Sequence, residues 1–399
     1  MHAEIVSIGS ELLLGQIVDT NAAFIARHLA AIGLDLFHKV TVGDNLGRAA
    51  EALETALGRA HVVITTGGLG PTGDDVTRDA AAQAMRRDLV LVPELLTQIE
   101  AFFRARGFRL SPSNRKQAYI PRGAVPLPNP VGTAPCFIVE QGDRALISLP
   151  GVPREMEHLL LTQVIPYLRE RYHLRGTIAF RILRVCGLGE SRVGEIVGDF
   201  MADGSNPTVG TMAHLGQVDV RIAAKGTDEA ARALITPVEA EIRARLGDVV
   251  FGVDGETLEG VVAAGLVARD WTLTLLEAGT GGLVAERLTA VAGASDRVYA
   301  LVAPDEAAAR RLGVADGSTG DLARAAREWG KTDLGVAAVI GLPEGEGPNP
   351  IWPTRVGVAT STGVTLHDYR FGGELRQVRI RAQVMTLDRL RRVLMLRSD

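Results

Sequence analysis

Residues 65–79, TTGGLGPTGDDVTRD, constrain this chain more than any other stretch. They follow a short apolar run, HVVI at 61–64, that reads as a buried parallel strand. Residues 76–87 read as the helix beyond it. Four glycines, Gly67, Gly68, Gly70 and Gly73, fill the turn between. Glycine tolerates positive φ and lets a ligand lie against backbone N–H groups. A helix start adds unpaired N–H groups and the positive end of a dipole. The turn therefore reads as a cradle for phosphate oxygens. Asp74 and Asp75 would repel phosphate unless a divalent cation sits between, and Mg²⁺ takes one or two carboxylates plus substrate oxygens. Thr77 and Asp79 either complete that shell or cap the helix. The plainer reading is a tight turn whose aspartates are ordinary N-caps. Two adjacent acids directly after four glycines favour the phosphate-and-metal site. No Gly-Lys-Ser/Thr follows, so this is not a P-loop, and it is not the dinucleotide fingerprint either, because that GxGxxG follows the first strand of its unit.

With 399 residues the chain is long enough for roughly two to four domains. A hydrophobic share of 46% and a charged share of 23% are ordinary for a globular protein. The net charge of −4 gives no reason to expect nucleic acid or a membrane surface as partner. Two distant cysteines, Cys136 and Cys186, cannot build a disulfide framework or a thiolate zinc site. The start MHAEIVSIGSELLLG lacks a basic n-region, and no apolar run is long enough to span a bilayer. The expectation is a cytoplasmic chain.

Residues 5–8 read as the first strand, 34–42 as the second, and the third leads into the glycine turn. Helices are expected from Asn21 to Gly33, with Phe24, Ile25, Leu29 and Ile32 on one face, and over 45–60. Alternating βαβαβ means a parallel sheet with helices on its faces. Ligands in such sheets lie beyond the carboxyl ends of the strands. Glu11, Asp19, Asn21 and the glycine turn each follow a strand end, so they can line one crevice. N-capping is the alternative for Asp19, Thr20 and Asn21. An amphipathic helix is expected over 93–107. Residues 111–135, SPSNRKQAYIPRGAVPLPNPVGTAP, read as one long irregular loop, which in a compact domain is usually functional or disordered. Its Asn114, Arg115, Lys116 and Gln117 suit phosphate neutralisation or sugar hydrogen bonds, although a solvated basic patch is the better reading of Arg115 alone. NPVGTA at 129–134 is a further tight turn with exposed N–H groups. A strand over 145–149, the turn Pro150-Gly151-Val152-Pro153 and a helix over 154–171 follow.

Beyond a junction at 173–176, strands are expected over 177–186, 208–211 and 217–224. A helix over 192–201 is capped by Ser191, and one over 228–246 is kinked or interrupted at Pro237. Residues 251–257 read as a link into a helix over 258–269, a strand over 272–276, the segment EAGTGGL at 277–283 and a helix over 284–290. The arginine-rich end, 370–397, reads as a helix with Val384, Leu387, Leu390 and Leu394 at helical spacing and a solvated basic face.

The motifs GSELLLGQIVDTN, TTGGLGPTGDDVTRDA, NRKQA, NPVGTAP and LPGVPREM occur in this order. Together they resemble the N-terminal domain of the CinA (competence/damage-inducible) family, which is related to molybdopterin-binding domains. The resemblance implies an α/β chain of three parts. These are a MoaB/MoeA-like parallel-sheet domain over 1–172, a small α+β KH-like domain over 173–253 and an α/β deamidase-like domain over 254–399. It implies a divalent-metal-dependent ADP-ribose pyrophosphatase that releases AMP and ribose 5-phosphate. In that reading Asp74 and Asp75 hold the cation (Mg, Mn or Co). Gly67, Gly68, Gly70 and Thr72 hold phosphate, and Asn21, Asn114, Gln117, Gly132, Thr133 and Gly151 contribute to substrate binding. Glu11 or Asp19 holds metal or orients water, and Lys116 stabilises developing charge.

The KH-like part lacks an evident GxxG clamp with basic neighbours, so RNA is not its expected partner. The C-terminal part resembles nicotinamide mononucleotide deamidases, whose E-S-C-T-G-G segment carries a serine nucleophile. Here Ala278 stands at that position, and alanine has no nucleophilic atom. Ala309, in APDEAAARRLGV, falls about where the family has a lysine, and VIGLP at 339–343 replaces a T-G-I-A-G-P loop. A domain without deamidase chemistry is expected. The family association also implies a homodimer and RecA as a possible partner, with a non-catalytic nucleotide-binding scaffold in competence or DNA repair as the alternative function.

Overall fold

The computed structural model describes residues 1–108, 111–134, 136–201, 205–311, 317–345 and 349–395. Pro135, residues 312–314 and residues 396–397 of the expected C-terminal helix lie outside them. The chain divides into two compact units, Met1–Ala179 with Lys225–Arg232, and Phe180–Ala224 with Ala233–Asp399. No helix among the described residues is long and apolar enough to cross a membrane.

The first unit opens with β1 (His2–Ile8), α1 (Ser10–Leu13), α2 (Thr20–Ala30), β2 (Asp35–Val42), α3 (Leu46–Arg59), β3 (Val62–Thr66) and α4 (Thr77–Ala84). Next come β4 (Leu89–Leu91), α5 (Pro93–Ala105), β5 (Tyr119–Pro121), β6 (Val125–Leu127), β7 (Cys136–Gln141), β8 (Arg144–Leu149), α6 (Pro153–Leu159) and α7 (Ile165–Arg171). Six strands form one sheet in the order β2-β1-β3-β8-β7-β6. Successive residues of a strand point to opposite faces, so uninterrupted apolar strands feed two layers. On one face Val6, Val63 and Leu146 share a core with Leu53 of α3, Ala80 of α4 and Leu95 of α5. On the other, Ile5, Ile64 and Ile147 share one with Ile25 and Leu29 of α2 and Met156 of α6. Each such branched side chain, fully buried, contributes about 1.5–3 kcal/mol. Glu4 is buried in β1 because Arg59 forms a two-pronged ion pair with it, with Nη2–Oε1 at 2.7 Å.

β1, β3 and β8 run parallel, with Ser7 opposite Thr66 and Thr66 opposite Leu149. Their carboxyl ends therefore reach the same edge at the same level. Several sequence expectations change here. The hairpin strand β7 is an addition, and residues 112–127 are ordered by a 3₁₀ segment (Pro112–Ala118) and by β5 and β6 instead of forming an irregular loop. Helix α4 stops at Ala84 because Arg86 takes a left-handed conformation, φ 52°. The helix expected over 154–171 contains a π-helical turn at Leu160–Val164, where the Ile165 amide bonds Leu160 O. Pro166 has no N–H to continue the regular pattern, which favours the wider turn.

Next along the chain come β9 (Thr177–Cys186), α8 (Glu190–Val197), β10 (Thr208–His214), β11 (Gln217–Gly226), α9 (Asp228–Leu246) and β12 (Val250–Val253). The strands form a sheet in the order β10-β11-β9-β12. β12 pairs with β9, so the expected link at 251–257 begins as a strand, which ends at Val253. α9 runs through Pro237 without interruption. Gly189 occupies the cap position of α8 and Ser191 lies inside the helix, so it is not the cap.

The rest comprises α10 (Leu258–Arg269), β13 (Leu273–Ala278), α11 (Leu283–Thr289), β14 (Val298–Ala303), α12 (Glu306–Arg311) and α13 (Thr319–Gly330). It ends with β15 (Leu334–Ile340), β16 (Ile351–Ala359), β17 (Val364–Gly372) and α14 (Leu375–Met395). The sheet order is β14-β13-β15-β16-β17. Arg370 belongs to β17, and the final helix starts only after Gly373 at φ 113°. α14 buries Val384, Leu387, Leu390 and Leu394 as their spacing requires. Its basic face is not wholly solvated, since Arg391 is buried in an ion pair with Asp388 at 2.6 Å. Both cysteines are buried and unpaired, and burial pushes the Cys186 thiol up to about 12.

A Cβ on Gly67, which has φ 102°, would lie 2.1 Å from Ile8 O, whereas one on Gly73 would meet nothing within 4 Å. Gly67→Ala is therefore expected to destabilise the protein by about 3 kcal/mol, and Gly73→Ala by less than about 0.5 kcal/mol. Thermal melting of the two variants checks this, and equal melting points would remove the special role given to Gly67.

Candidate functional site

The ends of three parallel strands approach so closely that side chains are excluded. Ile8 O abuts Gly67, and a Cβ on Gly151 would sit 3.2 Å from Gly67 Cα. Around this contact polar groups tie the strand ends together. Thr66 Oγ1 donates to Pro150 O at 3.0 Å, and Asn21 Nδ2 donates to Gly151 O at 2.8 Å and to Thr66 Oγ1 at 3.0 Å. Asp19 caps α2 by accepting from the Ala22 amide at 2.9 Å, and it accepts from Ser7 Oγ at 2.7 Å. Burial opposes its ionisation, yet the Ala22 amide, the Ser7 hydroxyl and Lys39 at 3.4 Å hold its carboxyl below the usual range. A cleft of about 110 Å³ opens here, lined by Glu11, Asp19, Asn21, Thr66, Gly67 and Gly151 among others. Asn21 Oδ1 is buried there without a hydrogen-bond partner. Five of the residues expected at the site are thus brought together. Asp74, Asp75, Gly132, Thr133 and Lys116 do not line this cleft.

The glycine turn is braced from inside. Asp75 Oδ1 accepts from the Gly70 amide at 2.7 Å, and Oδ2 accepts from the Thr72 amide at 2.8 Å and from Thr72 Oγ1 at 2.5 Å. Thr77 Oγ1 donates to Gly67 O at 2.7 Å, and the Thr77 amide donates to Gly68 O at 3.1 Å. The buried Arg78 donates to Leu69 O at 2.6 Å and to Gly70 O at 2.9 Å. Four consecutive carbonyls are held this way. The Gly67 amide is also engaged, donating to Leu149 O at 3.1 Å. The expectation that Gly67, Gly70 and Thr72 all offer free N–H groups therefore changes. Among the described residues the Gly68 amide, like those of Leu69 and Gly73, donates to no group of the chain.

The two acids differ in situation. Asp75 faces the turn, whereas Asp74 is exposed, and the neighbouring Thr72 side chain and its own backbone hold its carboxyl below the usual range. Among the described residues no group of three or more His, Cys, Asp or Glu side chains is arranged to hold a metal. A cation fits here only as one that keeps waters and takes substrate oxygens, which is the habit of Mg²⁺.

Asn114 and Gln117 are buried. Asn114 Oδ1 accepts from Ser111 N and Oγ, capping the 3₁₀ segment. Gln117 Nε2 faces Leu69 O at 3.4 Å and Thr133 Oγ1 at 3.3 Å, so it links two of the motifs. Lys116 and Arg115 are exposed. Gly132 is buried against Glu155, whose carboxylate a Cβ would strike at 1.9 Å. Burial raises the Glu155 carboxyl above its usual range, opposed by the Asn129 side-chain amide that donates to it at 2.5 Å. Arg78, Asn129 and Glu155 are the residues sequence reasoning passed over. Each lies in a quoted motif, but a lone charge or amide next to a glycine turn does not tell from sequence whether it will be buried.

In the second unit β13 ends at Ala278, which shares an apolar cluster with Ala303, Ala309, Leu322 and Val339. The buried Glu277 caps α11. Its Oε2 accepts from Thr280 Oγ1 at 2.6 Å and from the Val284 amide, and its Oε1 accepts from the Ala285 amide at 2.8 Å. Arg379 Nε donates to Gly279 O at 2.8 Å.

Residues 4–170 match the family described as "Probable molybdopterin binding domain", residues 180–252 match "Damage-inducible protein CinA KH domain", and residues 255–394 match "CinA C-terminal domain". A relative from Alkaliphilus oremlandii, named for competence-damage induction, is 40% identical over 100% of both chains. A CinA-like protein of Dictyoglomus thermophilum is 38% identical over 99% of this chain and 100% of its own. A solved CinA protein of unknown function from Thermoplasma acidophilum covers 41% of this chain and 95% of its own at 38% identity, with a TM-score of 0.39. The glycine-turn domain, the KH domain and the terminal α/β domain are thus those of one lineage, and the chain belongs to the CinA family.

Proposed function

We propose that the N-terminal domain is a divalent-metal-dependent ADP-ribose pyrophosphatase, and that the C-terminal domain carries no deamidase chemistry. The observation that supports this most is the convergence of Glu11, Asn21, Gly67 and Gly151 on one cleft, with Gly67 shared between the cleft and the turn that presents Asp74. In the reaction a water oxygen bonds to one phosphorus of ADP-ribose, the bond from that phosphorus to the bridging oxygen breaks, and AMP and ribose 5-phosphate leave.

Asp74 is the carboxylate suited to hold the cation (Mg, Mn or Co). Asp75 holds the loop that presents it, since both its oxygens already accept hydrogen bonds. When bound, the cation supplies charge neutralisation on the pyrophosphate oxygens. The Gly68 amide donates to a phosphate oxygen. Of the two acids offered for orienting water, Glu11 is exposed and available, whereas Asp19 is engaged with Ser7, Ala22 and Lys39 and positions α2. Lys116 compensates charge on the leaving phosphate. Asn21 Oδ1 accepts a hydrogen bond from a substrate hydroxyl, because its amide nitrogen is committed to Thr66 and Gly151. A second reading, a nucleotide-binding protein without catalysis, draws support from the apolar packing of Ala278 and Ala309, which provides a second domain with no nucleophile.

Offered ADP-ribose and nicotinamide mononucleotide with and without Mg²⁺, Mn²⁺ or Co²⁺, the purified protein is expected to release AMP in a metal-dependent way and no ammonia. Silence on both substrates would favour the binding protein. Asp74→Asn is expected to lower the metal-dependent rate about 100-fold at an unchanged melting point. Asp75→Asn is expected to lower both, and full activity in Asp74→Asn would remove the metal assignment. Ala278→Ser alone is expected to release no ammonia, because Ala309 and residues 339–343 also lack the family's groups. An ammonia assay on that variant checks this.

A further inference from the structure

Arg78 stands in the first turn of α4 with 2% of its surface exposed. Its guanidinium reaches back under the glycine turn to Leu69 O and Gly70 O. Among the described residues no carboxylate forms an ion pair with it. Asp75, three residues earlier, also reaches into the turn, and its Oδ1 takes the Gly70 amide. Leu69 O and Gly70 N belong to one peptide group. That single peptide is therefore held between a cation on its oxygen and an anion on its N–H.

We infer that Arg78 is an electrostatic positioning residue, whose buried charge offsets Asp75 through the Leu69–Gly70 peptide so that a turn carrying two acids accepts a polyanion. A buried charge is expensive unless it is paired, and two carbonyls can be held by a neutral donor at lower cost. Retaining the cation makes sense where a charge is needed. Without it, Asp74 and Asp75 would present two uncompensated negative charges to a pyrophosphate. With it, the inner pair is neutral overall, and Asp74 alone is left to meet the metal. Burial pulls the guanidinium down more than Asp75 and Asp79 pull it up, in keeping with a charge that is not directly paired.

The inference rests on the reading of this turn as the pyrophosphate site, and it makes a claim of opposite signs that a structural role does not make. The test uses the full chain, with Mn²⁺ alone as one probe and ADP-ribose in the presence of a chelator as the other. Loss of the buried charge in Arg78→Gln is expected to weaken ADP-ribose binding about tenfold while tightening Mn²⁺ binding severalfold. Arg78→Lys keeps the charge but cannot grip both carbonyls as a fork. It is expected to bind both probes within about twofold of wild type, even if its melting point falls. Should Arg78→Gln weaken both probes together or change neither, the inference is overturned while the site assignment stands. If Arg78→Gln does not fold, Arg78→Lys decides: an ADP-ribose loss of about tenfold despite the retained charge overturns it. Wild type that binds neither probe, singly or with both present together, would overturn the site assignment itself, and this inference with it.

Discussion

The first unit depends on a backbone contact in which Gly67 lies against Ile8 O and Gly151 against Gly67. Parallel strands in register bring their ends to one level, and here those ends touch. No side chain fits, so the polar groups that finish each strand must find partners across the contact. Asn21 does so for β3 and for the turn after β8 at once, and Thr66 reaches the same turn. The cleft exists because these bonds hold the strand ends together at the centre while Glu11 and Asp19 stand around the rim. Its shape follows from backbone sterics before any ligand chemistry is considered.

The paired acids show how adjacency in sequence separates in space. Asp75 is an internal partner of the turn, using both oxygens on residues three to five positions earlier. That arrangement holds the loop in the shape in which Asp74 projects outward. Asp75 braces the loop from inside, and Asp74 stands exposed beside it. The few protein donors suit a cation that keeps waters and substrate oxygens in its shell.

Much of this was legible in the sequence where one physical signal dominated. Unbroken apolar strands declared a parallel sheet, Asn45 a helix start and Gly33 a stop, while Asp19 proved to be the cap that was its alternative reading. What escaped had a competing or non-local cause. β7 was hidden because its pairing with β8 runs through a hairpin whose sequence, Cys136–Gln141, follows a proline-rich stretch that reads as loop. The ordering of residues 112–127 rests on Asn114 and Gln117 being buried, which nothing in their polarity announces. Arg78 draws no reading from sequence, since a buried arginine reveals itself only through the carbonyls it meets in space. The end of α4 turned on one left-handed residue, Arg86, of a type that rarely marks a helix stop.

The C-terminal domain separates what a fold requires from what a reaction requires. Glu277, Thr280 and the glycines after it would look like the remains of a catalytic segment if they were read as a motif. In space, Glu277 satisfies the opening amides of α11 and takes the Thr280 hydroxyl, and Gly279, Gly281 and Gly282 all sit at positive φ. Those demands come from a strand turning into a helix, and they persist whatever stands at position 278. A methyl group there joins the apolar cluster that also contains Ala309, so positions 278 and 309 are joined here by packing. Unpaired polar groups at such buried positions would cost about 1–3 kcal/mol each unless a ligand satisfied them. Alanine at 278 and 309 leaves no such group to satisfy, while the turn around them is held by the strand-to-helix junction itself.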